Sequence, residues 1–419
     1  MTLAVVIFGL ALAAIASERI DRTKVALLGA ALVIVTQTID QEHAIEAVDF
    51  NTIGLLAGMM LMVKLTETTG VYNWLAIRAG QVSRGRPLAV VIALSVTTAV
   101  LSAFLDNLTT ILLMVPITFL LADALDIDPL PLVIIEVIAS NIGGTATLIG
   151  DPPNIIIAGS TGLSFGEFIV NLAPIASVTF LVVTGALYLF YRSKLQVAPE
   201  ARQRVMELDA ARSIEEPEEL RRTMPVLIGT ILVFFMHKTL GLEPATVALA
   251  GATTMLLLTR QSLEKALADI EWSTLFFFMA LFVMVGALEE TGAIKEVADG
   301  IGDLTAGDRS AELLGILWSS AIGSGIVDNI PFTTTMIPVV EELQHGQGGA
   351  DDAYWWSLSL GACFGGNATL IAAAANVAAA GMAARAGRPI GFLEFLKVGL
   401  PATFLSLVLA TGYVVIRYL

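Results

Sequence analysis

Two acid–amide pairs stand out because each lies in the middle of a long apolar stretch. The pairs are Asp106-Asn107 and Asp328-Asn329. The first lies within residues 88–121 and the second within residues 311–341, which are otherwise almost entirely apolar. A carboxylate at membrane depth costs roughly 3 kcal/mol on insertion scales, so it is seldom there by accident. Its chemistry at that depth would be binding of a proton or of a hard cation such as Na⁺.

Two glycine-interrupted segments carry the other candidate residues. They run from Ser140 to Asn154 and from Gly365 to Asn376. Paired glycines break a helix, and Pro152-Pro153 removes two backbone donors. We expect freed carbonyls to coordinate a cation, while half-helix N-termini face an anion or polar solute. The predicted substrate and ion site comprises Asp106, Asn107, Asn141, Gly144, Thr145, Thr147, Asp151, Asn154, Asp328, Asn329, Gly366, Asn367, Thr369 and Asn376.

The charges of this set favour cations and protons. The candidate Na⁺ ligands are Asp106, Asn107, Asn141, Asp151, Asp328, Asn329 and Asn367. Glu136, one turn before Ser140, is a proton relay candidate or a structural hydrogen-bonding group. No Arg or Lys is predicted at this depth. Asp151 is matched in the second half by Ala373, so one cation site is expected to be stronger than the other.

Each of these residues also has a structural interpretation. Asp106 and Asp328 are suited to be N-caps of the second arm of each hairpin. The paired glycines are also compatible with close helix packing, and Asp151 before a proline with a turn. Lys64 and Glu67, three residues apart near the end of a span, predict a snorkelling ion pair. No catalytic residue is predicted.

The composition predicts that these residues lie within membrane-spanning segments. The chain has 419 residues, of which 56% are hydrophobic and only 15% charged, whereas a soluble protein has about 25% charged residues. Apolar runs of about 17 to 25 residues recur, which is the length of a transmembrane helix. The single Cys363 excludes an intrachain disulfide. The net charge of −15 gives no support for nucleic-acid binding.

The fold class is therefore an all-α polytopic membrane protein with an internal repeat. The offset that relates Asp106 to Asp328 also relates Gly70, Pro116 and Asn154 to Gly292, Pro338 and Asn376, respectively. Each repeat is predicted to have about five transmembrane helices, one of them interrupted, plus a re-entrant hairpin. The arm Thr109 to Leu121 would be about 13 residues, too short to cross. Because five is odd, the two repeats must be inverted, as in secondary transporters.

The predicted domains follow from the repeat. The first repeat is 1–191 (scaffold helices 1–86, hairpin and transport part 87–191), followed by a cytoplasmic linker at 192–222, and the second repeat is 223–419 (scaffold 223–309, hairpin and transport part 310–419). Most basic residues, including those near Arg22 and Arg78 and in the linker, fall on one face. By the positive-inside rule, this face is cytoplasmic and both termini lie outside the cell membrane.

These motifs resemble a known family. The strings SAFLDNLTT, EVIASNIGGTATLIGDPPNIIIAG, DNIPFTTTMIPV and GACFGGNATLIAAAANVAAAG are similar to the ion transporter superfamily. The similarity is greatest to its arsenite-permease/NhaD branch, and within that branch to bacterial relatives of the melanosomal P protein. The resemblance implies a homodimer with two mobile transport domains working by an elevator movement. The related sodium-dicarboxylate branch has Ser at the hairpin tips, where this chain has Asp106 and Asp328.

These observations predict a secondary active transporter coupled to Na⁺ or H⁺, with cation/proton antiport as the leading mechanism. The alternatives are a Na⁺-coupled anion or carboxylate symporter and an arsenite/proton efflux permease. An enzyme is not expected. Intramembrane aspartyl proteases, the enzyme class that two membrane aspartates suggest, need one acid on each of two facing helices and have no internal repeat, whereas the paired acids here lie on two repeated hairpin tips. The expected partners are the lipid bilayer, a small ion or solute and a second copy of the chain. No cofactor is expected beyond the coupling ion.

Overall fold

All regular structure in the described residues is helical. The computed structural model describes residues 1–17, 19–346 and 352–419. The first half contains α1 (Thr2–Ala16), α2 (Arg22–Val35), α3 (Gln41–Glu46), α4 (Phe50–Glu67), α5 (Val71–Val82), α6 (Pro87–Phe104), α7 (Asn107–Leu125), α8 (Leu130–Gly144), α9 (Pro152–Thr161) and α10 (Phe165–Tyr191). Then follow α11 (Pro199–Glu207) and a 3-10 turn (Ala210–Ser213). The second half contains α12 (Pro217–Leu240), α13 (Pro244–Leu258), α14 (Leu263–Ala268), α15 (Trp272–Glu290), α16 (Ala293–Thr305), α17 (Arg309–Val327), α18 (Asn329–Gly346), α19 (Ala353–Gly365), α20 (Ala374–Arg385) and α21 (Phe392–Tyr418).

The helix order of the first half recurs in the second. The start of each of α2 to α7 and α9 is related to the start of a later helix by the same offset as Asp106 and Asp328, so that α2 corresponds to α13 and α7 to α18. Helices α10 and α21 start at a slightly larger offset, the one that also relates Pro174 to Pro401. The short amphipathic helices α5 and α16, which the apolar runs do not predict, recur in the same way.

Helices of one half pack directly against helices of the other half. Helix α4 packs on α13 of the other half, and its counterpart α15 packs on α2. Glycines allow both approaches: a Cβ on Gly29 of α2 would lie 2.3 Å from the Met284 sulfur of α15. The corresponding Cβ on Gly251 of α13 would lie 2.9 Å from the Met62 sulfur of α4. A second group contains α6 packed on α8 and α17 packed on α19.

Helix ends follow local sequence chemistry. Asp21, whose carboxylate accepts from the Lys24 amide, caps α2. Gly70 and Gly292 adopt φ of 76° and 78° and end the turns after α4 and α15, a conformation that favours glycine. Lys64 and Glu67 form an ion pair of 2.9 Å, which confirms the predicted pair.

Among the residues that the structure describes, eight helical segments are long and apolar enough to span a membrane. They include both arms of the first hairpin, Pro87–Phe104 and Asn107–Leu125. The prediction that the second arm is too short to cross is therefore wrong, because α7 has 19 residues. The helix starts immediately after its Asp106 cap, continues through Pro116 and ends only at Asp126, which adopts φ of 56°.

The segment predicted as a linker packs on the first half. Helix α11 contacts α7, and the 3-10 turn contacts α5. The Gln81 side chain donates to the Leu208 carbonyl at 2.6 Å, and the Glu215 amide donates to the Thr69 carbonyl at 3.1 Å. Helix α12 begins at Pro217, inside the predicted linker. The segment is therefore anchored to the first half and ends in the first helix of the second.

Candidate functional site

Both predicted helix interruptions are confirmed. Helix α8 ends at Gly144 and the chain resumes as α9 at Pro152; α19 ends at Gly365 and resumes as α20 at Ala374. The packing interpretation of the glycines also holds. A Cβ on Gly143 would lie 2.3 Å from the Ala99 carbonyl oxygen, and one on Gly365 would lie 2.5 Å from that of Ala321. Gly144 is confined too, since its Cβ would lie 2.5 Å from the Gly150 carbonyl oxygen.

In each interruption one asparagine amide donates to two backbone carbonyls. Asn154 Nδ2 bonds the carbonyls of Thr145 (3.1 Å) and Thr147 (2.8 Å), and Asn376 Nδ2 bonds those of Gly366 (2.7 Å) and Thr369 (2.8 Å). These four carbonyls are thus satisfied by side chains, as buried backbone groups must be. Cation coordination through their second lone pairs stays a prediction.

The hairpin tips are anchored to the interruptions in the same way in both halves. Ser102 Oγ donates to the Ser140 carbonyl at 2.8 Å, and Ser324 Oγ donates to that of Ala362 at 2.7 Å. Thr147 and Thr369 donate to the carbonyls of Ala103 and Gly325, respectively. Each tip and its neighbouring interruption therefore form one unit.

The fully buried Asp151 lies where the two tips meet. Its Oδ1 accepts from Asn107 Nδ2 at 3.2 Å and from Asn329 Nδ2 at 3.0 Å, so one amide from each half holds it. Its Oδ2 accepts no hydrogen bond of standard geometry from the described part of the chain, although the Cys363 thiol lies beside the carboxyl. A buried carboxylate with an unused oxygen can accept a proton or a cation.

Asn141 joins the two interruptions. Its Nδ2 donates to Asn367 Oδ1 at 2.9 Å and to Asn376 Oδ1 at 3.0 Å, while its Oδ1 accepts from Asn107 at 3.2 Å. All four amides are at most 3% exposed. The structure thus brings together six of the predicted residues in one buried network: Asn107, Asn141, Asp151, Asn329, Asn367 and Asn376.

Asp106 acts as a helix cap, which confirms the structural interpretation. Its Oδ1 accepts from the Thr109 amide at 2.8 Å and its Oδ2 from the Thr109 hydroxyl at 2.6 Å. The side chain is half-buried, and its hydrogen bonds among the described residues are those to Thr109 and not to the amides around Asp151. Both of its oxygens are thus used within the first turn of α7.

Asp328 forms an ion pair with Arg22. The prediction that no Arg or Lys lies near the acidic residues of the site is therefore wrong. Arg22 Nη1 lies 3.0 Å from Asp328 Oδ2. The sequence places Arg22 in a loop between two spans, but it opens α2, and the second hairpin tip reaches it from 306 residues away. The pair lines a cleft of 430 Å³ whose walls include Ile20, Leu108 and Val377.

Glu136 lies outside the amide network. It is 1% exposed, and the Thr118 hydroxyl lies 2.7 Å from both carboxyl oxygens. The repeat replaces both residues with apolar ones, Leu358 and Val340, which are fully buried on the corresponding helices. This favours the structural interpretation of Glu136.

A double-mutant cycle separates the two roles of Glu136. Glu136→Leu is expected to destabilise the fold by about 1–3 kcal/mol, because the buried Thr118 hydroxyl loses its acceptor. Thr118→Val is expected to be at least as costly, since it leaves a buried acid unpaired. The double variant copies the second half and should recover most of the loss, with transport retained, as checked by thermal unfolding and flux. A folded double variant without transport would indicate proton relay.

Comparison with known proteins gives the family. The citrate transporter model CitMHS matches residues 12–361. An uncharacterized transporter of Mycobacterium tuberculosis (H37Rv) is 42% identical over 421 residues, which cover 99% of this chain and 98% of the relative. The P protein of Homo sapiens is 32% identical over 502 residues, covering 100% of this chain and 60% of that protein.

A solved structure supports the fold. The YdaH transporter of Alcanivorax borkumensis aligns with a TM-score of 0.59 at 16% sequence identity, covering 88% of this chain and 84% of that one. At this identity the likeness concerns the fold alone. Together with the family match, the membrane-spanning helices and the relatives, it leads to one conclusion. The chain is a multi-pass membrane transporter that belongs to the CitMHS citrate transporter family, within the ion transporter superfamily.

Proposed function

We propose that this secondary transporter is coupled to a cation that binds at Asp151, and that its reaction is cation/proton exchange. The observation that carries the proposal is the fully buried Asp151 carboxylate, which one amide from each half holds through one oxygen. The other oxygen accepts no hydrogen bond of standard geometry from the described residues. A proton and a metal cation would compete for the same oxygen. Such competition is what exchange requires.

The charges around Asp151 support a cation. Asp106 and Asp328 both lie within electrostatic reach of it, and Arg22 neutralises Asp328. Asp151 itself has no basic partner at close range among the described residues. Asn141 Oδ1, which accepts from the same Asn107 amide group as Asp151, adds one neutral amide oxygen nearby, a ligand type that hard cations prefer.

The architecture supports alternating access. Scaffold helices α2, α4, α13 and α15 form one group, and α6, α8, α17 and α19 form another. The hairpin tips and helix interruptions that carry the site continue from the ends of the second group. We infer that the two halves are inverted repeats, and that their hairpins are re-entrant because each tip is bonded to the helix interruption of its own half. We further infer that the second group moves against the first as an elevator. The inferred orientation places residues 192–222 in the cytoplasm and both termini outside.

Proteoliposomes with an internal pH dye test the exchange reaction. Na⁺, Li⁺ or K⁺ is added outside vesicles that hold an imposed proton gradient, acidic inside. Exchange is expected to give cation-dependent alkalinisation of the lumen with wild-type protein and none with protein-free vesicles. Absence of a response to all three cations would contradict cation/proton exchange.

A second candidate is cation-coupled uptake of a carboxylate. The observation that favours it is the Arg22 guanidinium, 27% exposed on the wall of the 430 Å³ cleft, together with the citrate transporter family match. Uptake of labelled citrate driven by an inward Na⁺ or proton gradient tests it. Citrate uptake without cation/proton exchange would select this candidate.

The proposed assembly is a homodimer. An elevator needs a scaffold that stays fixed while the transport part moves, and a second copy would supply that anchorage. Mass photometry of the protein in nanodiscs measures the assembly directly. A monomer that transports at full rate would contradict it.

A further inference from the structure

The Arg22–Asp328 ion pair joins the two groups of helices. Arg22 opens α2, where its guanidinium lies 5.0 Å from the centroid of the Phe277 ring of α15. Asp328 lies at the tip between α17 and α18, and its side chain is 7% exposed. A 3.0 Å contact therefore links α2 of the scaffold group to the hairpin that carries part of the site.

Two sequence differences between the halves create this pair. Both carboxylate oxygens of Asp106 accept hydrogen bonds from Thr109. The residue that matches Thr109 at the second tip is Pro331, which has neither an amide hydrogen nor a hydroxyl. Asp328 keeps only the Ile330 amide, on Oδ1, so its Oδ2 is available to Arg22. The residue matching Arg22 is Pro244, so this position cannot supply the same pair to the first tip.

The backbone of the second tip also differs from that of the first. Asp328 adopts φ of 143° and ψ of 145°, whereas Asp106 adopts φ of −74° and ψ of 156°. Side-chain-bearing residues rarely adopt the former conformation, so surrounding contacts must maintain it. The contacts at this tip include the Arg22 pair, the Ile330 amide on Oδ1 and the bond from the Asn329 amide to the Ala372 carbonyl, of 3.1 Å.

We propose that Arg22 is a tethered cation that competes with a monovalent metal ion for Asp328, and thereby fastens the second hairpin to the scaffold until that ion binds. Asp328 borders the cleft, so an ion can reach it. Oδ1 accepts from the Ile330 amide and Oδ2 from Arg22, so an ion that takes Oδ2 displaces the guanidinium. Ion binding then removes the one ion pair in the described structure between α2 and this tip. This inference rests on the proposed function in one respect only, which is that the ligand is a metal cation.

The competition predicts tighter ion binding when the guanidinium is removed. Thermal stabilisation of the purified protein is measured as choline chloride is replaced by NaCl at constant total salt. The NaCl midpoint is expected to fall at least tenfold in Arg22→Gln and in Arg22→Met, which keeps packing over Phe277. Arg22→Lys, which keeps the charge, and Lys24→Gln, an exposed basic residue two positions along α2, should stay within threefold of wild type.

Hydrogen exchange of the tip provides the second readout. In wild type, NaCl is expected to speed exchange of the amides of Asn329 and Ile330 at least fivefold relative to choline chloride; in Arg22→Gln they should exchange fast in both salts. An unchanged NaCl midpoint with only a lower melting temperature would show a merely structural pair and overturn the proposal. So would a wild-type protein insensitive to NaCl. Neither readout needs transport, so failure of the transport assay is a separate result.

Discussion

Asp151→Asn is expected to abolish cation-dependent transport, whereas Asp106→Asn should retain most of it. Asparagine keeps an oxygen that can accept from Asn107 and Asn329, so the fold around position 151 is preserved. What disappears is the negative charge and the unused oxygen that a proton or metal ion would occupy. Neutralising a membrane-buried acid that binds the coupling ion removes the driving reaction, so the loss should exceed about a hundredfold, equivalent to about 2.7 kcal/mol.

The Asp106 variant is the matched control. Asp and Asn are about equally good helix caps, so an asparagine can still accept from the Thr109 amide. Initial flux per reconstituted protein and melting temperature are measured for both variants. Equal loss of transport in the two variants, with both folded, would contradict a special role for Asp151. Full activity of Asp151→Asn would overturn the proposed ion site.

Gly143→Ala and Gly365→Ala are expected to impair folding severely. The added methyl group would lie 2.3 Å from the Ala99 carbonyl oxygen in the first variant and 2.5 Å from that of Ala321 in the second. Both obstacles are helix backbone, which cannot rotate aside as a side chain can. Overpacking of this kind costs about 1–3 kcal/mol or more, so we expect the yield of monodisperse protein to collapse.

Gly185→Ala is the control for helix propensity. Gly185 lies in α10, and a Cβ there would meet nothing within 4 Å. Alanine in a helix is favoured over glycine by about 0.5–1 kcal/mol, so this variant should unfold at the same or a higher temperature. Yield and melting are compared by fluorescence-detected size exclusion. If Gly143→Ala behaves like Gly185→Ala, the contact of α8 with α6 is looser than the structure shows.

The architecture is largely predictable because apolar runs and an internal repeat in the sequence indicate where most of the helices lie. Apolar runs locate most of the long helices, and the constant offset between matching motifs predicts the corresponding helix starts. Helices α5 and α16 are not predictable in this way because they are short and partly polar, so no apolar run marks them. The interrupted helices are predictable because Gly144 and Pro152 leave a local signature.

The candidate site is only partly predictable. The residues that gather around Asp151 all belong to the two repeated motifs, so their meeting follows from the repeat. Arg22 is not predictable in the same way because a basic residue beside a span is usually a topology signal, and only the fold shows that the second tip reaches it. A signal exists in the departures from the repeat, where Pro244 and Pro331 replace Arg22 and Thr109.

The packing of helices of one half against those of the other has a consequence for biogenesis. When translation reaches residue 192, α2 and α4 are already made, but α15 and α13, on which they pack, are not. Gly29 of α2 and Gly58 of α4, which pack against Met284 and Ala248 of the second half, therefore lack these partners until the second half is inserted. The first half therefore cannot complete its native helix packing before the second half is made. Two separately translated halves would have to find each other in the bilayer before either acquired its native packing.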